Sequence, residues 1–171
     1  MVFGTGLNPT EWIQIGTDHG DQVDHNVLEF WDVNGLDGLY SLRLSVVDHS
    51  MALREATIQV TVDHISPTLD LTYPEEGAVY EYGHDEWVNV NAEVQDYSIA
   101  RIEFYVYQGG KENEPQEKIE PFAVRVVAPF NVNWTIEEVG VHTFYVVAVD
   151  AAGNTTKSDP VTIRVALREE E

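Results

Sequence analysis

Apolar and polar residues alternate with a period of two along most of this chain, in runs of roughly 5–10 residues bounded by Gly, Pro, Asn and Asp. Helical periodicity of useful length does not occur, so the pattern predicts an all-β protein. The clearest run sets Tyr40, Leu42, Leu44 and Val46 against Ser41, Arg43 and Ser45, which assigns the first four to the inward face of a strand. That run is written twice. Residues Gly38 to Asp48 align with Gly140 to Asp150 at an offset of 102 residues. Downstream, Ile58, Val60 and Val62 recur as Val161, Ile163 and Val165, with one residue inserted in what the pattern reads as the intervening turn. Upstream, Trp31 and Trp134 precede the two copies. A repeat of whole strands and their turn predicts two copies of one β-module. Register carries over with it: His142, Phe144, Val146 and Ala148 are predicted to face the second core. The second copy could not make that choice alone, because Tyr145, Val147 and Val149 are apolar as well.

The second copy reads as a complete seven-stranded sandwich. Strand A is predicted over 68–73, ending at Pro74-Glu75-Glu76-Gly77, and strand B over 87–94 with Val88, Val90, Ala92 and Val94 inward. Strand C covers 99–107 with Ile102, Phe104 and Val106 inward, followed by a polar hairpin over 108–115. Strand E covers 123–134, broken near Pro129, which cannot donate to a central ladder. Strands F and G cover 141–150 and 161–167. The first copy has far fewer residues ahead of its Gly38, and Val2-Phe3-Gly4-Thr5-Gly6 enters at what reads as the middle of a module. The expected organisation is a partial module over 1–65, a complete one over 66–168 and a short acidic tail over 169–171. Pro67 biases Ser66 toward an extended conformation at the junction. A module lacking its opening strands leaves backbone groups unpaired, which invites strand exchange.

Several of these runs resemble a known family. Trp12-Ile13-Gln14-Ile15-Gly16, Trp31-Asp32, Asp37-Gly38-Leu39-Tyr40-Ser41-Leu42-Arg43-Leu44, and Val60-Thr61-Val62-Asp63 before Pro67 are similar to the immunoglobulin-like repeats at the C-terminus of bacterial bifunctional penicillin-binding proteins. His64 stands where that family more often has Asn. The second half, with Ile102-Glu103-Phe104-Tyr105-Val106 and Ala148-Val149-Asp150-Ala151-Ala152-Gly153-Asn154, resembles the broad bacterial Ig-like group of exported proteins. The resemblance implies tandem immunoglobulin-like β-sandwiches, the first N-terminally incomplete. It also implies an extracytoplasmic location and a non-catalytic accessory role in positioning or interaction. The expected partners are neighbouring domains of a longer chain, cell-wall polysaccharide or an envelope protein. A carbohydrate-binding or adhesin module, and a surface-layer or filament subunit using strand exchange, are the rival readings.

Charge narrows the partners. The formal net charge is −21, with both halves acidic, and such a field repels nucleic-acid backbones and anionic lipid surfaces. No apolar run is long enough for a membrane-spanning helix. With no cysteine, disulfides, thiolate metal sites and cysteine nucleophiles are all excluded. No serine has Lys three residues on and Lys-Thr-Gly does not occur, so the penicillin-binding chemistry is not encoded in these residues. No enzyme activity and no cofactor are expected. Possible metal ligands crowd together at Asp18, Asp21, Asp24 and His25, but their spacing matches no EF-hand, and the segment reads as a solvated acidic loop. Asp150 and Asn154 read as a side-chain-capped turn around Gly153. If strands C and F are neighbours, then Tyr105, Tyr107, Val141, Tyr145, Val147 and Val149 share the outward face as an apolar patch, a candidate interaction surface. Thr143, on that same face, is expected to be dispensable.

Overall fold

The computed structural model describes residues 1–17, 26–96, 98–109 and 120–168, and every regular element among them is a strand. The chain divides into two compact units, Met1–His64 and Ile65–Glu171.

The first unit is a four-stranded antiparallel sheet built from β1 (Val2–Thr5), β2 (Ile13–Gln14), β3 (Gly38–Val47) and β4 (Leu53–Val62), in the order β2-β1-β3-β4. One face carries a row of apolar side chains across the ladder: Ile13 pairs with Phe3, Phe3 with Leu42 and Leu42 with Ile58. Trp31 covers one corner of that face, its ring 5.0 Å from Phe3 and 5.6 Å from Tyr40. Elsewhere the cover thins. Tyr40 is buried, Leu42 and Leu44 are half-buried, and Val46 is 49% exposed. The expectation that all four face a core therefore needs correcting at Val46, because alternation fixes the side of a strand but burial needs something packed on that side.

The second unit has two sheets. β5 (Thr68–Tyr73), β7 (Trp87–Gln95) and β10 (Asn131–Thr135) form one, in the order β10-β7-β5. The other contains β6 (Val79–Tyr82), β8 (Ile99–Gln108), β9 (Ala123–Arg125), β11 (Gly140–Asp150) and β13 (Val161–Leu167), in the order β6-β13-β11-β8-β9, with β12 (Thr155–Lys157) also paired to β11. Between them lies the core: Val88, Val90 and Val132 from the first sheet against Ile102, Phe104, Phe144, Val146, Ile163 and Val165 from the second. His142, Phe144, Val146 and Ala148 are all buried, as the repeat predicted. The all-β, two-sheet arrangement of an immunoglobulin-like sandwich is thus realised here.

The chain changes sheets at two places. After strand A ends at the turn over 74–77, where Gly77 takes a φ of 77° that suits glycine, β6 forms as a strand that the sequence pattern did not assign and runs parallel to β13 in the opposite sheet. Predicted strand E is two strands: β9 pairs with β8, and after Pro129 the chain crosses so that β10 pairs with β7. The inserted residue of the second copy lies not in the turn but beyond it. Val147 pairs with Lys157 and Phe144 with Val161, so the extra residue forms a bulge at Ser158–Pro160 within the returning strand. There the Val146 N–H donates to Ser158 Oγ at 3.1 Å and the Ser158 N–H to Val146 O at 2.9 Å. The serine hydroxyl thus supplies an acceptor to a buried ladder donor where the bulge offsets the pairing.

Candidate functional site

The predicted interaction face lies on β8 and β11, which are neighbours with Tyr105 directly opposite Tyr145. Adjacent strands bring their rings within stacking distance. The two rings are parallel to within 5° at a centroid distance of 4.7 Å, and Tyr107 tilts against Tyr145 at 6.4 Å. Across β11, on the side of β12, Lys157 Nζ sits 3.9 Å from the centre of the Tyr145 ring. Since β8 and β12 flank β11 on opposite sides, both faces of Tyr145 are occupied within the protein. Along β8 the ladder continues: Arg101 Nε donates to Glu103 Oε1 at 2.6 Å and Tyr105 Oη donates to Glu103 Oε2 at 2.7 Å.

Electrostatics follow from this packing. Burial, reinforced by the hydrogen bond to the Glu103 carboxylate, pushes Tyr105 up to about 12. Burial and the nearby Tyr107 raise Tyr145. Burial alone would raise Glu103, but its bonds from Tyr105 and Arg101 hold it below the ordinary carboxylate value.

The structure brings Tyr105, Tyr107, Tyr145 and Val147 together as a half-buried cluster, with Val141 at its edge 40% exposed. Val149 does not belong to an exposed patch. It is buried, flanked by Arg101 on β8 and Thr155 on β12. Thr143 is buried as well and its hydroxyl lies 3.0 Å from that of Thr162, so it does not stand on an open face. Both positions lie mid-sheet with a paired strand on either side, Val149 between Arg101 and Thr155 and Thr143 between Tyr107 and Thr162, a placement that alternation along β11 does not register. The candidate metal residues Asp18, Asp21, Asp24 and His25 lie outside the described residues, as does the 169–171 tail.

The Asp150 turn is capped as expected and has a counterpart. Asn154 N–H donates to Asp150 Oδ1 at 2.8 Å, Asp150 N–H to Asn154 O at 3.1 Å and Gly153 N–H to Asp150 O at 3.3 Å. In the first unit Ala52 N–H donates to Asp48 Oδ1 at 3.1 Å, Asp48 N–H to Ala52 O at 3.1 Å and Met51 N–H to Asp48 O at 2.9 Å. These are the same bonds, 102 residues apart. Burial pushes Asp150 up, yet the Asn154 side chain and the turn amides more than offset it and leave the carboxyl below its usual range. Asp48 is held low by the Ser50 hydroxyl and by the Ala52 and Ser50 amides. Both carboxylates act on their own turns.

One feature escaped the sequence reading. At one end of the second unit, Tyr82, Gly83, Asp85, Glu86, Trp87, Thr135 and Ile136 line an open depression of about 590 Å³. Trp87 is 52% exposed and Tyr82 41%. The available signal is the outward half of strand B, Trp87-x-Asn89-x-Asn91.

The bacterial Ig domain family (Big_7) matches residues 67–146, which cover β5 through most of β11. The second unit is Ig-like. Among solved structures, a fibronectin(III)-like module of Clostridium thermocellum CbhA is similar at 21% identity and a TM-score of 0.48, over 60% of this chain and 100% of that one. Comparison with curated proteins gives no match.

Proposed function

We propose that this chain is a non-catalytic Ig-like accessory segment of an extracytoplasmic bacterial cell-envelope protein, forming the C-terminal extension of a peptidoglycan-synthesising penicillin-binding protein and acting in positioning or interaction. The observation that carries this reading is the duplicated corner, in which strand register and turn hydrogen bonds recur at one offset. Tandem β-modules of this kind serve as spacers and binding units, and the features repeated between the two copies, strand register and turn capping, are those of a scaffold. Asp48 and Asp150 use their carboxylates to cap their own turns, which is a structural task. The motifs around Trp12, Trp31 and Tyr40 support the assignment of the parent.

The deciding experiment reads the genomic frame that encodes this chain. Transglycosylase and transpeptidase domains joined in frame, with the tagged full-length protein recovered in the envelope fraction, are the expected result. An unrelated catalytic domain in that frame, or recovery from the cytoplasm, overturns the assignment.

A further inference from the structure

The outward face of the β10-β7-β5 sheet has a composition that its role as one wall of a sandwich does not explain. Asparagine is depleted in strands because its side chain competes for backbone hydrogen bonds. Yet four asparagines fill consecutive outward positions of two adjacent strands, with Asn89 opposite Asn133 and Asn91 opposite Asn131. The next row along the same face pairs Trp87 with Thr135. Those two residues also line the depression at the end of the unit, so the amide rows and the depression form one continuous strip.

The amides keep hydrogen-bonding capacity. Asn89 Nδ2 donates to Asn133 Oδ1 at 2.9 Å, which leaves Asn89 Oδ1 as an acceptor and Asn133 Nδ2 as a donor without a partner among the described residues. The aromatic end of the strip is held in place. Glu81 N–H donates to Asp85 Oδ2 at 2.7 Å, His84 Nδ1 lies 3.2 Å from Asp85 Oδ1, and Gly83 takes a φ of 81°, fixing the loop that carries Tyr82. Ile136 N–H donates to Glu86 O at 3.1 Å, fixing the other side.

We infer that this strip is a binding face for a neutral glycan chain. Its chemistry selects that class. Paired amides offer a donor and an acceptor side by side, which matches the hydroxyls of a sugar. Exposed Trp and Tyr rings present apolar faces for the C–H side of a pyranose, with polar tips for its hydroxyls. No Lys or Arg stands at the outward positions of β5, β7 or β10, and Asp85 and Glu86 lie at one end of the strip with Glu93 and Asp70 toward the other. An anionic polysaccharide meets repulsion along the whole face. The site is distinct from the Tyr105–Tyr145 cluster, whose central ring is already stacked on both sides, and it does not depend on the identity of the parent polypeptide.

The test is nuclear magnetic resonance on the isotope-labelled 171-residue chain, titrated separately with cellohexaose, chitohexaose and mannohexaose, and with dextran sulfate as an anionic probe. The expected result is a saturable shift of the Trp87 indole and the Asn89 and Asn133 side-chain amides with at least one neutral hexasaccharide. In Trp87→Ala the shifts of the Asn89 and Asn133 amides should disappear, and in Asn133→Ala those of the Trp87 indole and the Asn89 amide should weaken. Both positions are solvent-facing, and unchanged core methyl signals of Val90 and Val146 will establish that each variant is folded. Absence of shifts at these groups with all three neutral probes overturns the inference. So does an equal response to dextran sulfate, or a response confined to Tyr105 and Tyr145.

Discussion

β3 and β11 are nearly the same strand in two settings. Each leaves a glycine with positive φ, Gly38 or Gly140, and each ends in an Asp-capped turn. Each pairs with its returning strand in equivalent register: Leu42 with Ile58 where Phe144 meets Val161, and Tyr40 with Val60 where His142 meets Ile163. On the other side, β1 meets β3 with Phe3 opposite Leu42, as β8 meets β11 with Val106 opposite Phe144. Even the tryptophan contact recurs: Trp31 on Tyr40 and Trp134 on His142, 5.6 and 4.8 Å apart. What differs is the covering layer. Phe144 and Val146 are fully buried beneath the β10-β7-β5 sheet, whereas among the described residues the equivalent face of the first unit has no second sheet over it. Pairing and register are properties of the strands themselves; burial belongs to the sheet opposite.

The most severe way to break this comparison is to truncate the equivalent side chains. Phe144→Ala removes a fully buried ring and is expected to cost about 3–5 kcal/mol. Leu42→Ala, at a half-buried site, should cost less than about half of that. Urea unfolding of both variants decides it, and equal losses would mean that the first sheet is as well covered as the second. Next in size is the bulge, which only the second copy has. Ser158→Ala leaves the buried Val146 N–H without its acceptor, for an expected loss of about 1–3 kcal/mol. Its hydrogen exchange should accelerate at Val146 while that of the Asp150 turn stays slow.

The turn itself offers a reciprocal exchange. Met51 occupies the left-handed position at φ 63° that Gly153 holds at 93° in the second copy. Gly153→Met is expected to destabilise the second unit by about 1 kcal/mol, and Met51→Gly to stabilise the first by somewhat less, since glycine also gains freedom in the unfolded chain. Thermal shifts of the same sign in both variants would show that the two turns are not equivalent. The smallest effect concerns pH. Tyr105 is raised to about 12, so its contribution is complete below 10 and is lost as pH rises through 12. The depressed carboxyls of Asp48, Asp150 and Glu103 contribute above the ordinary carboxylate range and lose that contribution as pH falls through their folded values. Ultraviolet titration should find late-ionising tyrosine in the wild type and one fewer such group in Tyr105→Phe. An unchanged late fraction would refute the Glu103–Tyr105 bond.

The sequence by itself determined the all-β class, the duplication and the inward register of β11, because a period-two pattern and a copied run are local properties of the chain. It also located the Asp150 cap, since the donors of that turn lie within four residues of its carboxylate. The tertiary structure decided everything that depends on a second layer or a neighbouring strand. β6 leaves one sheet for the other, β9 and β10 separate around Pro129, and the extra residue of the repeat becomes a bulge because Ser158 can serve the Val146 amide. Val149 and Thr143 are buried between strands that pair alongside them, and Val46 is exposed because no sheet among the described residues covers that side. The Trp87–Asn89–Asn133 strip exists only because two strands more than forty residues apart in sequence lie side by side, bringing into one surface residues that look unrelated along the chain.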